Sequence, residues 1–278
     1  MLKWYGYVGA VLLAFGNANF FLVIQPFADW YIPIVWFGYI LLIDSIVYRT
    51  RGRSLIATHP KEAFFLATIS LPFWLIFEGY NLVTHNWTYI NYIWYIHLLD
   101  FTTIMPAVME TFMLVRAMGV FGKVKINFAH AIPLRADAPT QQAAHRIIMV
   151  LPALGVIAIM VPLLSRTLGM PFVWVGMFLL LDPLNYALGR DSIVRRASTG
   201  ESRALLQMFL AGIIMGFLWE FWNYMAYPKW IYNIAGIRLF EMPLQGYLGY
   251  LPFALDVFLF YEFFRSYVFK GPNPVFDA

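Results

Sequence analysis

The chain has 278 residues, of which 61% are hydrophobic, 19% aromatic and 12% charged. A soluble domain carries about twice that charged share, so the composition excludes a water-soluble globular protein and places the chain in a bilayer. The net charge of +4 excludes a strongly basic nucleic-acid-binding surface, and the lack of any cysteine excludes disulfides, thiolate metal sites and thiol catalysis.

A first apolar segment runs from Tyr5 to Ile24. No cleavable leader pattern precedes it, so it is expected to stay as a helix. A second, Tyr31 to Tyr48, carries Asp44 and is expected to stop at the basic cluster Arg49, Arg51 and Arg53. A third, Ala63 to Leu82, contains Glu78 and Asn81; a fourth, Trp94 to Met118, contains Asp100, Thr103 and Glu110. Residues 119–145 are polar and read as a linker, with Pro139 and Thr140 opening the next helix. Four more spans follow, Arg146 to Leu164, Pro171 to Leu188, Ala204 to Ala226 and Gly246 to Val268, and residues 271–278 form a short tail.

The second half repeats the first. Pro33, Trp36, Gly38, Leu41, Asp44, Tyr48 and Ser54 recur at one constant offset as Pro171, Trp174, Gly176, Leu179, Asp182, Tyr186 and Ser192. With small insertions Glu78 and Asn81 become Glu220 and Asn223, Trp87 and Tyr89 become Trp230 and Tyr232, and Pro106 and Glu110 become Pro252 and Asp256. The expected fold is all-α: a polytopic integral membrane protein of about eight transmembrane helices in two parallel four-helix repeats, residues 1–118 and 146–270. Of the 19 Lys and Arg, 16 fall on the side that holds both termini. The positive-inside rule therefore puts the termini in the cytoplasm, with a bacterial-type inner membrane as the expected setting.

Glu220 and Asn223 stand one helical turn apart on one face, as do Glu78 and Asn81. Ionisable groups inside a span are functional-site candidates by default. Glu220, Glu78 and Asp100 are the candidate proton donors and Asn223, Asn81, Trp219, Trp222 and Tyr80 the candidate ligand contacts; Glu78, Asn81, Asp100, Glu220 and Asn223 form an outer layer. Asp44, Asp182, Glu110 and Asp256 form an inner polar layer, close enough in sequence to Arg49, Arg116 and Arg190 for ion pairing between helices. Asp100, Thr103, Ala107 and Glu110 mark one face of the fourth span; Gly246, Gly249, Phe253 and Asp256 mark the matching face of the eighth. The Trp- and Tyr-rich outer loops read either as interfacial belts or as a lid over a cavity. The five histidines include no zinc or haem spacing, and no metal or cofactor is expected. Glu262 and Arg265 read as a surface pair.

In the second half, Trp219-Glu220, then Trp230 and Tyr232, then Pro243-Leu244, resemble the transmembrane type of lycopene cyclase domain, itself a duplicated helical module. Where that family has two acids after Pro-Leu, this chain has Gln245 and Gly246, with Glu241 just before. The resemblance covers about the third and fourth spans of each half. It implies an acid-catalysed isomerase or lyase acting on an isoprenoid or carotenoid, with Glu220 or Glu78 as donor and Trp230 and Glu241 at the ligand. The residues leave three functions open: binding or modification of an apolar isoprenoid-like lipid, proton-coupled transport of a small solute, and a non-catalytic subunit of a larger membrane complex. The expected partners are membrane lipid or an isoprenoid, without nucleic acid, and a homo-oligomer or larger membrane complex stays open.

Overall fold

The computed structural model describes residues 1–124, 138–165 and 169–277. The protein is an all-α polytopic membrane protein. Its first half runs through α1 (Trp4–Leu22), α2 (Tyr31–Arg51), the one-turn α3 (Leu55–Thr58), α4 (Pro60–Thr84), a strand β1 (Trp87–Ile90), α5 (Trp94–Phe101) and α6 (Ile104–Ala117). The second half repeats that order as α7 (Ala138–Leu164), α8 (Pro171–Ala187), α9 (Ile193–Ser198), α10 (Ser202–Met225) and β2 (Lys229–Tyr232). A small ribbon, β3 (Arg238–Leu239) with β4 (Met242–Pro243), and a 3-10 turn (Leu244–Gly249) lead into α11 (Tyr250–Val268), and α12 (Pro274–Asp277) ends the chain.

Among the described residues, seven helical stretches are long and apolar enough to span a bilayer: α1, α2, α4, Trp94–Ala117, Gln141–Leu164, α10 and Leu244–Val268. Helix α8 has 17 residues, about 26 Å at 1.5 Å per residue, the lower end of spanning length. The boundaries differ from expectation in three places. Helix α2 passes through Arg49 and Arg51 and ends at Gly52, whose φ of 75° turns the chain; basic side chains suit a helix C-terminus. Helix α7 begins at Ala138, ahead of Arg146, while the linker residues 125–137 lie outside the described residues. The fourth span is interrupted at Thr102 and Thr103, between α5 and α6.

Each repeat opens with a tight helical hairpin. A Cβ on Gly9 would stand 2.6 Å from the Gly38 carbonyl oxygen, and one on Gly155 would stand 2.8 Å from that of Gly176. Small residues at these crossings let the two backbones touch, which is how helices associate where lipid gives no hydrophobic drive. Asp44 then fixes α3: its Oδ1 accepts the Ile56 N–H at 2.7 Å and its Oδ2 accepts the Ser54 and Tyr5 hydroxyls at 2.9 and 2.5 Å. Asp182 does the same for α9, accepting the Ile193 and Val194 N–H groups at 2.5 and 3.1 Å. The inner layer is therefore not held by arginines; among the described residues none of Asp44, Asp182, Glu110 and Asp256 forms an ion pair. Glu110 lies against Asp44, and Asp256 is buried with neither carboxyl oxygen hydrogen-bonded among the described residues.

Glu262 and Arg265 are buried, not a surface pair. Arg265 reaches across to Glu62 at the start of α4, Nε to Oε2 at 2.6 Å, and also donates to the carbonyls of Gly271 and Pro272. Glu262 accepts from Asn273 at 2.8 Å. These bonds dock residues 271–277 as part of the fold: Phe276 packs on Phe112 of one repeat and Phe258 of the other, and its carbonyl accepts from Arg116.

At the opposite end, β1 and β2 pair antiparallel with Trp87 facing Tyr232 and Tyr89 facing Trp230. Trp87 corresponds to Trp230 and Tyr89 to Tyr232, so exchanging the repeats leaves the register unchanged. A pseudo-twofold axis therefore passes through this bridge, and both repeats point the same way across the membrane. Trp87, Tyr89, Trp230 and Tyr232 of these loops cover the space between the repeats, while Tyr92, Trp94, Tyr95 and Tyr227 stay exposed.

Removing Glu62 strands the Arg265 guanidinium in the interior, so Glu62→Ala should destabilise the folded protein by about 3–5 kcal/mol, read from thermal melting in detergent. The cysteine-free chain also permits a register test. A Thr88→Cys, Ile231→Cys double variant should cross-link within the chain on mild oxidation, because directly opposed residues lie within disulfide reach. A Thr88→Cys, Ile90→Cys control has both cysteines on one strand and should not show the long-range mobility shift on electrophoresis.

Candidate functional site

The Glu-x-x-Asn pairs act on the strands above them. Asn81 Oδ1 accepts the Trp87 N–H and its Nδ2 donates to the Trp87 carbonyl, both at 3.0 Å. Asn223 grips Trp230 identically, at 3.0 and 2.9 Å. Each amide thus replaces a neighbouring strand for one residue. Two residues on, and so on the same strand face, Tyr89 donates to Glu78 Oε1 at 2.5 Å and Tyr232 donates to Glu220 Oε1 at 2.7 Å. Each carboxyl oxygen takes a second donor, but from different places. In the first half this is Trp74 Nε1 at 2.9 Å; in the second it is the Tyr250 hydroxyl at 2.6 Å. Gly216 stands where the first repeat has Trp74, and a Cβ there would lie 2.3 Å from the Tyr250 ring. The missing indole makes the room that Tyr250 fills.

Beneath the bridge, between the repeats, lies a cavity of about 110 Å³. Its walls are aromatic: Trp36 and Trp174, a matched pair, with Trp74, Trp87, Trp219 and Trp230, together with Phe77, Phe101 and Phe253. Tyr89, Tyr232 and Tyr250 bring hydroxyls to it. Of the expected site residues, Asp100, Trp219 and Trp230 line the cavity, and so do Gly246, Gly249 and Phe253. Glu78 and Glu220 sit one hydrogen bond behind the lining tyrosines.

Five expected ligand contacts are placed elsewhere. Asn81 and Asn223 are engaged by the strands. Trp222 packs on Trp36 and Tyr39 behind the wall. Tyr80 donates to the Ile159 carbonyl of α7 at 2.8 Å. Glu241 pairs with Lys229 at 2.7 Å in the outer loop, a local ion pair that holds β2 to the ribbon.

The residue that sequence motifs miss is His97. Its Nδ1 lies 3.1 Å from Asp100 Oδ2, and its ring contacts Tyr89, Tyr92 and Phe101. Both side chains line the cavity at the break between α5 and α6. The signal for it is the His-x-x-Asp spacing, one helical turn, in a span otherwise free of histidine. In the second repeat the matching positions are Pro243 and Gly246, so the dyad exists once.

Tyr89 and Tyr232 sit in the bridge, where burial first and the adjoining carboxyl second raise their phenol pKa values well above 10. The folded state then keeps protons that the unfolded chain loses above about pH 10. Stability should fall with rising pH there, by up to about 1.4 kcal/mol per pH unit for each phenol. Melting curves from about pH 9.5 to 11.5 should show a shallower fall for Tyr232→Phe than for the wild type; parallel curves would mean that the phenol titrates normally.

Comparisons with protein-family models, with curated proteins and with solved structures find no match.

Proposed function

We propose that the chain binds an apolar, isoprenoid-like lipid with one end in the aromatic cavity under the bridge, in an inner-membrane protein with both termini in the cytoplasm. The observation that carries this reading is the cavity itself: indole and phenyl walls from both repeats, interrupted by a few polar groups placed at its edge. That is the usual make-up of a small-molecule site. A cavity of 110 Å³ takes about one ring-sized group, so it suits an end group, with the remaining chain passing out between helices into lipid. The resemblance to the lycopene cyclase domain points the same way.

The chemistry open to such an arrangement is proton transfer. The protonated Glu78 or Glu220 carboxyl is the acid, and the tyrosine between it and the cavity relays the proton to an isoprenoid double bond: the carboxyl O–H and the phenol O–H break as a new phenol O–H and a C–H bond form, and the carbocation faces indole rings that stabilise it. Loss of a neighbouring proton to the His97–Asp100 pair restores a double bond, and return of that proton to the glutamate resets the site, for a net isomerisation with no other reactant. Transport has narrower support: of the inner layer Asp44 and Asp182 are engaged in holding α3 and α9, which leaves Glu110 and Asp256 as the acids with unpartnered oxygens among the described residues.

Extraction in mild detergent, followed by mass spectrometry and visible spectroscopy of the bound lipid, tests the reading. One polyene or prenyl molecule per chain is expected, with retention falling several-fold in Trp219→Ala. An empty protein that drives proton-coupled uptake in vesicles, abolished by Glu220→Gln, would favour transport instead.

A further inference from the structure

The cavity lining is unevenly polar. Most of its lining is apolar, and the tyrosine hydroxyls are already committed to Glu78 and Glu220. At the α5–α6 break, however, two polar atoms are left over. His97 is 3% exposed and its Nε2 has no partner among the described residues; Asp100 is 9% exposed and its Oδ1 has none there either. Buried polar atoms in folded proteins are nearly always satisfied, and an exception calls for a missing partner. These two belong to residues bonded to each other through their remaining atoms, so they present as one unit. Pro243 and Gly246 at the matching positions of the other repeat provide no counterpart.

We propose that the ligand carries a hydroxyl at its buried end, seated between His97 Nε2 and Asp100 Oδ1, and that this dyad selects an isoprenoid alcohol over the corresponding hydrocarbon. The inference rests on the apolar-ligand reading above and adds the head group. With a neutral imidazole bonded through Nδ1–H, the pair offers two acceptors; with an imidazolium it offers one donor and one acceptor. A hydroxyl answers both atoms of the imidazolium state and donates to one of the two acceptors of the neutral state. A carbonyl or an ether fits only the second, and a hydrocarbon fits neither. The single copy of the dyad on a pseudo-twofold frame also gives the ligand one orientation.

The test offers the protein, in detergent micelles, equal concentrations of geraniol, its methyl ether and 2,6-dimethylocta-2,6-diene, the same skeleton without oxygen, and reads adducts by native mass spectrometry. Comparing the alcohol-to-hydrocarbon ratio between wild type and variants cancels differences in micelle partition. The ratio should fall at least about tenfold in His97→Phe and in Asp100→Leu, since a site built around a hydroxyl rejects the analogue lacking it. Asp100→Asn, which keeps an acceptor, should retain most of the preference. Folding of each variant is checked by introducing Thr88→Cys and Ile231→Cys in the same background and confirming that the strand-to-strand cross-link forms. If the diene binds and the ratio is unchanged in folded His97→Phe and Asp100→Leu, the dyad does not select a hydroxyl, and the apolar-ligand reading stands without it. If none of the three probes gives an adduct on the wild type, both readings fall.

Discussion

The structure depends on a grip made twice: an asparagine at the end of a membrane helix holding both backbone groups of a tryptophan, and a glutamate one turn earlier holding the hydroxyl of the tyrosine two residues beyond. A two-stranded ribbon alone is marginal in water. Here each strand is tied to a helix end by three side-chain hydrogen bonds, and the two strands then pair across the pseudo-twofold axis. The bridge spans the two repeats at one end of the bundle, as the docked Phe276 does at the other. Between them the helices leave the aromatic cavity.

Symmetry builds the frame and its breaking builds the site. The paired glycines of the opening hairpins occur in both halves, and so do the aspartates that hold α3 and α9, although Asp44 takes one backbone N–H and two hydroxyls where Asp182 takes two backbone N–H groups. The cavity wall differs. Trp74 is answered by Gly216, whose space the Tyr250 ring takes, and Gly249 leaves the room that Trp174 occupies. The His97–Asp100 dyad is answered by Pro243 and Gly246. A duplicated shell with one-sided polar lining is what a ligand with distinct ends requires, because a symmetric site would hold it in two opposite orientations equally.

Much of this is legible in the sequence. The apolar stretches give the spans, the offset matches give the repeats, and Glu78/Asn81 with Glu220/Asn223 are singled out by their isolation in apolar surroundings. Their targets are less legible. A strand of four residues in an aromatic loop has no periodicity to betray it, and the Asn-to-Trp grip uses backbone groups that every residue has. Glu241 is drawn to the site by its closeness to Pro243, yet Lys229, twelve residues away, claims it. Glu262 and Arg265 satisfy the spacing of a helical surface pair; nothing local says that Glu62, some 200 residues earlier, is the true partner. His97 fails every metal motif and becomes meaningful only once the α5–α6 break turns it and Asp100 into the same cavity.

The central claim is that the cavity under the bridge is a binding site for an apolar molecule. An experimental density map of protein taken from its membrane in native lipid discs tests this most directly. Elongated non-protein density should enter between the repeats and end among Trp36, Trp74 and Trp219, within hydrogen-bonding distance of His97 or Asp100. A cavity that holds only water, continuous with both faces of the membrane, would contradict it.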